Sequence, residues 1–142
     1  MKRAQEHSYG IIPLRKAGDA WQVLLIHHAK GHWAFPKGHC EAGESPLETA
    51  QRELFEETHL EVAQLLSQAP LDEAYQFMRD GTLVEKKVSY FMALVTGEVS
   101  VDHKEVVEAV WASFTTAHDM LTFPEAQRLC STIPNALSLV NS

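Results

Sequence analysis

Apolar and polar residues alternate along this chain in short blocks, and the period of each block predicts its element. Tyr9 to Leu14 and Trp21 to His28 read as strands, the second carrying the buried-type run Val23-Leu24-Leu25-Ile26, with a turn around Gly18-Asp19 between them. Ala74 to Met78 and Lys87 to Val95 are rich in aromatic and β-branched residues. Arg79-Asp80-Gly81-Thr82 between them supplies an Asp-Gly turn, so this pair reads as a second hairpin. Val106 to Trp111 is a further short strand. The tail from Thr115 onward reads as helix, with Pro124 placed as a first-turn proline before Glu125 to Cys130.

The sharpest local signal is Ser45-Pro46-Leu47-Glu48. Ser45 can cap the amide three residues on, Pro46 suits the first helical position, and Glu48 can reach back to complete a capping box. A helix from Pro46 to about Thr58 puts Leu47, Ala50 and Leu54 on one arc and Glu53, Glu56 and Glu57 on the next. Like charges at that spacing repel by a few tenths of about 1 kcal/mol per pair, so something should offset them. A solvated acidic face neutralised by Arg52 at i−4 to Glu56 is the ordinary reading of such a helix. A divalent-cation site is the other, because clustered carboxylates offer the hard oxygens that Mg²⁺ prefers.

Strands flanking helices predict a mixed α/β layer arrangement, and 142 residues suffice for about one domain, spanning residues 1–142. With 45% hydrophobic and 22% charged residues the chain is neither disordered nor membrane-spanning. The formal charge of −7 argues against stable nucleic-acid binding through a basic surface, yet leaves room for carboxylates gathered around cations. Lys2 and Arg3 are followed by no apolar segment of the kind a secretory signal has, and the two cysteines, Cys40 and Cys130, are widely spaced, so the expected compartment is the cytoplasm. Four of the eight histidines, His27, His28, His32 and His39, cluster near Cys40 but without HxxxH or CxxC spacing, which argues against zinc. His27 and His28 alternate faces of one strand, so only one can point at a cleft.

The segment from Gly38 to Leu60 resembles the Nudix box, Gly-x5-Glu-x7-Arg-Glu-apolar-x-Glu-Glu-x-Gly-apolar, with Gly38, Glu44, Arg52, Glu53, Leu54, Glu56, Glu57 and Leu60 in register. His59 departs from it, standing where the family usually has glycine; His tolerates the left-handed helix-end conformation better than most residues. The resemblance implies a Nudix fold, an α/β/α sandwich around a mixed sheet (α+β), and Mg²⁺-dependent hydrolysis of a nucleoside diphosphate linked to another moiety, with Mn²⁺ as a possible substitute. It gives metal-ligand roles to Glu53, Glu56, Glu57 and the Gly38 carbonyl, an orienting role to Arg52, and a bracing role at the loop-helix junction to Glu44. The chemistry has its own logic: a pyrophosphate repels hydroxide and carboxylates alike, so cations must neutralise it and position the attacking water.

Just before the box, His32-Trp33-Ala34-Phe35-Pro36-Lys37-Gly38-His39 resembles the Trp-x-x-Pro-Lys-Gly-His segment of the asymmetrical diadenosine tetraphosphate hydrolases, a segment shared in part with diphosphoinositol polyphosphate hydrolases. RNA 5′-pyrophosphohydrolases, the alternative, tend to carry Gln in place of Lys37. After the box, Lys86-Lys87-Val88-Ser89-Tyr90-Phe91-Met92-Ala93 is similar to a strand of the same hydrolases. The resemblance makes Lys37 and Lys86 phosphate-binding cations, and Glu105, six residues before Trp111, a further metal ligand or the general base. Glu108 competes for that role. His32 and His39 would donate to phosphate or brace the loop. Tyr75, Phe77 and Phe123 would stack on adenine, unless they are plain core; Tyr75 and Phe77 share one strand face and so act together or not at all. The implied partner is a dinucleoside polyphosphate cleaved to ATP and AMP, with no membrane involved, and monomer and homodimer both stay open. A binding module without turnover would have lost box glutamates that are present here. A Ca²⁺ sensor would need an Asp-x-Asp-x-Asp loop, which is absent.

Overall fold

In the computed structural model, which describes residues 1–140, a mixed sheet is covered on both faces by helices. The strands are β1 (Lys2–Ala17), β2 (Ala20–His28), β3 (Trp33–Ala34), β4 (Lys37–His39), β5 (Glu61–Leu65), β6 (Leu71–Arg79), β7 (Thr82–Thr96) and β8 (Val106–Ala112); the helices are α1 (Pro46–Thr58), α2 (Phe114–Met120) and α3 (Pro124–Val140). The central path runs β3-β2-β1-β7-β5, with β4 on β1, β6 on β7 and β8 on β2.

Runs such as Ile11-Ile12 in β1 and Tyr90-Phe91-Met92 in β7 are apolar at every position because both faces of the sheet are buried. Ile12, Leu14, Val23, Leu25, Val88, Tyr90 and Met92 pack with residues of α2 and α3, such as Leu129 and Ile133. Their strand neighbours Ile11, Leu24, Phe91 and Ala93 pack on the other side against Ala50 and Leu54 of α1. Two residues in sequence thus serve two cores, and that makes the layers α/β/α.

Both predicted hairpins form. The first turns at Gly18, whose φ is +66°, and the second at Asp80-Gly81, both with positive φ as a tight Asp-Gly turn requires. The strands are longer than predicted. β1 begins at Lys2 and β7 at Thr82, because these two strands run parallel in register from Lys2↔Thr82 to Leu14↔Leu94, and long-range pairing holds polar residues that no hydrophobic pattern marks. The short strands β3, β4 and β5 escaped the sequence reading for the same reason.

The C-terminal helical tail is two helices rather than one. The Trp33 amide donates to the Thr122 hydroxyl at 2.8 Å and the Thr122 amide donates to the Trp33 carbonyl at 3.3 Å, pulling the chain onto β3, while Leu121 is buried. Pro124 then opens α3 afresh, as expected of a first-turn proline.

Candidate active site

Helix α1 begins with the capping box read from the sequence: the Glu48 amide donates to the Ser45 hydroxyl at 3.2 Å and the Ser45 amide to the Glu48 carboxylate at 2.9 Å. It ends at His59, which adopts the left-handed conformation (φ 65°) of the glycine it replaces. Between these caps the helix lays Glu53 and Glu57 against β4. Gly38 lies directly beneath Glu53, so close that a Cβ there would overlap the carboxyl group and push it out of this position. The Lys37 amide donates to Glu57 at 3.2 Å.

Arg52 organises this surface. Its Nε and Nη2 donate to Glu44 at 2.6 and 3.1 Å, Nη2 also reaches the His39 carbonyl at 2.8 Å, and Nη1 contacts Glu53 at 2.9 Å and Glu56 at 3.2 Å. Glu44 itself accepts from the Glu41 amide and the Thr49 hydroxyl, which braces the loop-helix junction and, with the Arg52 hydrogen bonds foremost, holds its carboxyl down to about 2. Arg52 at i−4 does pair with Glu56, as the solvated-face reading required, but Glu53 and Glu57 are not solvated.

Glu53, Glu56, Glu57 and Glu105 line one pocket of about 440 Å³ together with Phe55, His59, Asp102 and Val106. Burial pushes Glu57 up to about 9, and the charges of Glu53 and Glu105 push in the same direction. Burial also raises Glu53. Glu108 lies outside, opposite His27 on β8. Among the described residues no three carboxylate, imidazole or thiol groups already converge at metal-ligand distance. The donor set nevertheless suits a hard divalent cation: several carboxylate oxygens, one of them deeply buried with a single amide donor, beside the backbone of a glycine.

A second cluster sits across β1, β4 and β7. Register places Glu6, Lys86 and Tyr75 side by side on one sheet face, with His39 on the same face. Lys86 is only 8% exposed. Its ammonium donates to His39 Nε2 at 3.0 Å and lies 3.6 Å from Glu6, which is also held by Arg79 at 2.7 Å. Because an ammonium can only donate, His39 accepts through a bare Nε2 and braces the lysine. Lys37, largely buried, links the two clusters: its amide meets Glu57, and its ammonium feels both Glu57 and Glu73, although burial is the larger influence and lowers it.

The remaining candidates separate. His32 stacks on His28 at 4.2 Å between ring centroids and lies 5.5 Å from Phe123, at the mouth formed by β3. His27 stacks instead on Trp33, so the two adjacent histidines do take different faces. Phe77 and Tyr75 are 6.1 Å apart on one face, but Arg79 lies over the Phe77 ring and Tyr75 packs on the core. Sequence reasoning missed Glu6 and Glu73. Glu73 is raised by burial, and one of its oxygens has no hydrogen-bond partner among the described residues. Neither belongs to a motif; only the β1–β7 and β6–β7 registers reveal them.

The NUDIX domain family matches residues 5–131. The proposed mutator protein MutT4 of Mycobacterium tuberculosis is 33% identical over 111 residues, covering 78% of this chain and 44% of that protein. The asymmetrical bis(5′-nucleosyl)-tetraphosphatase of Rattus norvegicus is 49% identical over 47 residues, 32% of each chain. An RNA pyrophosphohydrolase of Bartonella clarridgeiae is 29% identical over 105 residues, 64% of this chain and 61% of that one. This chain therefore spans less than two thirds of the length of these curated relatives. Among solved structures, the binary complex of a Caenorhabditis elegans Ap4A hydrolase superposes with a TM-score of 0.74 at 22% identity, covering 94% of this chain and 98% of that one, a likeness of fold. No helix among the described residues is long and apolar enough to cross a membrane.

Proposed function

The chain belongs to the NUDIX family, and from that premise we propose that it is a pyrophosphohydrolase that cleaves diadenosine tetraphosphate asymmetrically to ATP and AMP. The observation that carries the reading is the pair of lysines, the half-buried Lys37, whose amide meets Glu57 of the carboxylate pocket, and the buried Lys86 next to His39. Burial lowers the Lys86 ammonium and the charge of Lys37 pushes in the same direction, so a neighbouring anion is favoured there, as suits a chain of phosphate groups. The local identity to the rat tetraphosphatase points the same way.

In this reading Glu53, Glu56, Glu57, Glu105 and the Gly38 carbonyl hold Mg²⁺, or Mn²⁺ in its place. The cation supplies charge neutralisation at the bridging oxygens and helps ionise the attacking water. The protein's own groups do the rest. Arg52 fixes the directions of Glu53 and Glu56, and Gly38 keeps the floor low enough for Glu53 to lie flat. Glu105, on the loop facing α1, is placed to accept the proton of the water. Lys37 and Lys86 grip the phosphates not undergoing attack, with His39 as the brace of Lys86. The His32–Phe123 pair offers a flat surface for adenine, whereas Tyr75, packed on the core beside a Phe77 ring that Arg79 covers, does not. The free cysteines Cys40 and Cys130 accord with a reducing cytosol.

RNA pyrophosphohydrolase activity is the second reading, favoured by the longer alignment to the Bartonella enzyme and opposed by the formal charge of −7. Incubation with diadenosine tetraphosphate, diadenosine triphosphate and triphosphorylated RNA in Mg²⁺, with separation of products, distinguishes them. ATP plus AMP from the first substrate is expected; two ADP, or faster attack on RNA, would overturn the proposal.

A further inference from the structure

His59 does more than tolerate a glycine's backbone. Its ring Nδ1 lies 2.9 Å from the Ser100 carbonyl. A carbonyl oxygen only accepts, so Nδ1 carries the proton and the imidazole is tied to this loop as a donor. The Ser100 amide in turn donates to the Thr58 carbonyl at 2.9 Å, so two hydrogen bonds, one from the backbone and one from the His59 ring, join the end of α1 to the segment that follows β7.

That segment carries Glu105 into the pocket. Beyond Ser100 it is stiffened by the Lys104 amide on Asp102 at 2.8 Å, by His103 in the left-handed conformation (φ 64°) with its amide on the Val106 carbonyl, and by the Ala29 amide on the Glu105 carbonyl at 2.8 Å. Its far end is therefore anchored to β8 and β2. Its near end is anchored to the helix that bears Glu53, Glu56 and Glu57, and a glycine at position 59 would supply only the backbone half of that anchor. The Phe55 ring meets the imidazole edge-on at 5.1 Å and limits its rotation.

We propose that His59 is a positioning residue for the hydrolysis, its Nδ1–H bond to the Ser100 carbonyl setting the distance between Glu105 and the three box glutamates. This rests on the catalytic reading of Glu105 given above. Misplacing a catalytic group by about 1 Å can cost about a hundredfold in rate, so a single anchoring bond can have a large effect on turnover and little on stability.

Asparagine and glutamine separate the two ring nitrogens. In Asn the side-chain amide nitrogen falls at the place of Nδ1, and Asn accepts the left-handed conformation; in Gln it falls nearer the place of Nε2. The test measures kcat and KM for diadenosine tetraphosphate, with thermal melting, for His59→Gly, His59→Asn, His59→Gln, Glu105→Gln and the His59→Gly/Glu105→Gln double variant. His59→Gly is expected to melt no lower than wild type, to keep its KM within about twofold, and to lose about 10- to 100-fold in kcat. His59→Asn should restore turnover to near wild type and His59→Gln should not. In the Glu105→Gln background His59→Gly should cost almost nothing more, since the two act through one another. Full turnover in His59→Gly with a slow Glu105→Gln overturns the positioning role alone. Wild-type turnover in Glu105→Gln overturns the Glu105 reading and this inference with it. Rescue by His59→Gln but not by His59→Asn would show that Nε2 is used, and failure of His59→Asn to restore turnover overturns the Nδ1 role in either case.

Discussion

Two carboxylates on either side of Lys37 and its neighbours behave in opposite ways. Glu6, among Arg79, Lys86 and His39, is held down to about 2, chiefly by its hydrogen bond to Arg79. Glu57, among Glu53 and Glu105 with one amide donor, is pushed up to about 9, chiefly by burial. The first cluster neutralises itself from within the chain, whereas the second gathers negative charge with too few partners. Carboxyl groups perturbed in this way gather at functional sites. Under the proposed function the difference is a division of labour: the acidic side would recruit a cation, and the lysine side, already balanced, would exchange an internal carboxylate partner for a substrate phosphate.

Disrupting the acidic side should have the larger effect. Glu56→Gln keeps the helix, its caps and most of the Arg52 bonds, so it is expected to melt close to wild type while kcat falls by about a thousandfold or more. Near-wild-type turnover in steady-state assays would place Glu56 outside the chemistry. On the other side, Lys86→Met removes a charge-assisted phosphate contact while Glu6 remains paired with Arg79. KM for diadenosine tetraphosphate should rise by about 10- to 100-fold with a smaller change in kcat, since such a bond is worth about 1.5–3 kcal/mol. A loss confined to kcat would mean that the lysine side takes part in the bond breaking itself and that the division is wrong.

The two sides were unequally legible in the sequence. Apart from Glu105 and Asp102, what defines the acidic wall lies within Gly38 to Leu60, where local rules operate: a capping box starts the helix, the 3.6-residue period sorts Leu54 from Glu53, and the spacing of Glu56 and Glu57 can be read directly. Even the left-handed conformation at His59 followed from the motif. The lysine wall is assembled by pairings across long stretches of chain. Lys86 could be singled out only through likeness to other hydrolases, and its partner Glu6, eighty residues away, not at all, because the parallel β1–β7 register has no signature in the pattern of either strand. The same long-range pairing hid the polar first half of β1. The start of α3 at Pro124 was legible from the proline, but the contact of Thr122 with Trp33 that ends the helical run before it was hidden.

The central claim is that the Glu57 pocket exchanges a proton for a cation. The folded, metal-free protein binds a proton at Glu57 up to about pH 9, whereas the unfolded chain releases it near 4.5, so between those limits the unfolded state holds fewer protons and the metal-free protein loses stability as pH rises. A cation that displaces this proton should restore what is lost. The most direct measurement is a Mg²⁺ titration at pH 7.5 in dilute buffer with an indicator dye, counting protons released for each ion bound. The account predicts release of about one proton per ion, or somewhat more if Glu53 also gives one up. Binding of Mg²⁺ with no proton released would contradict it.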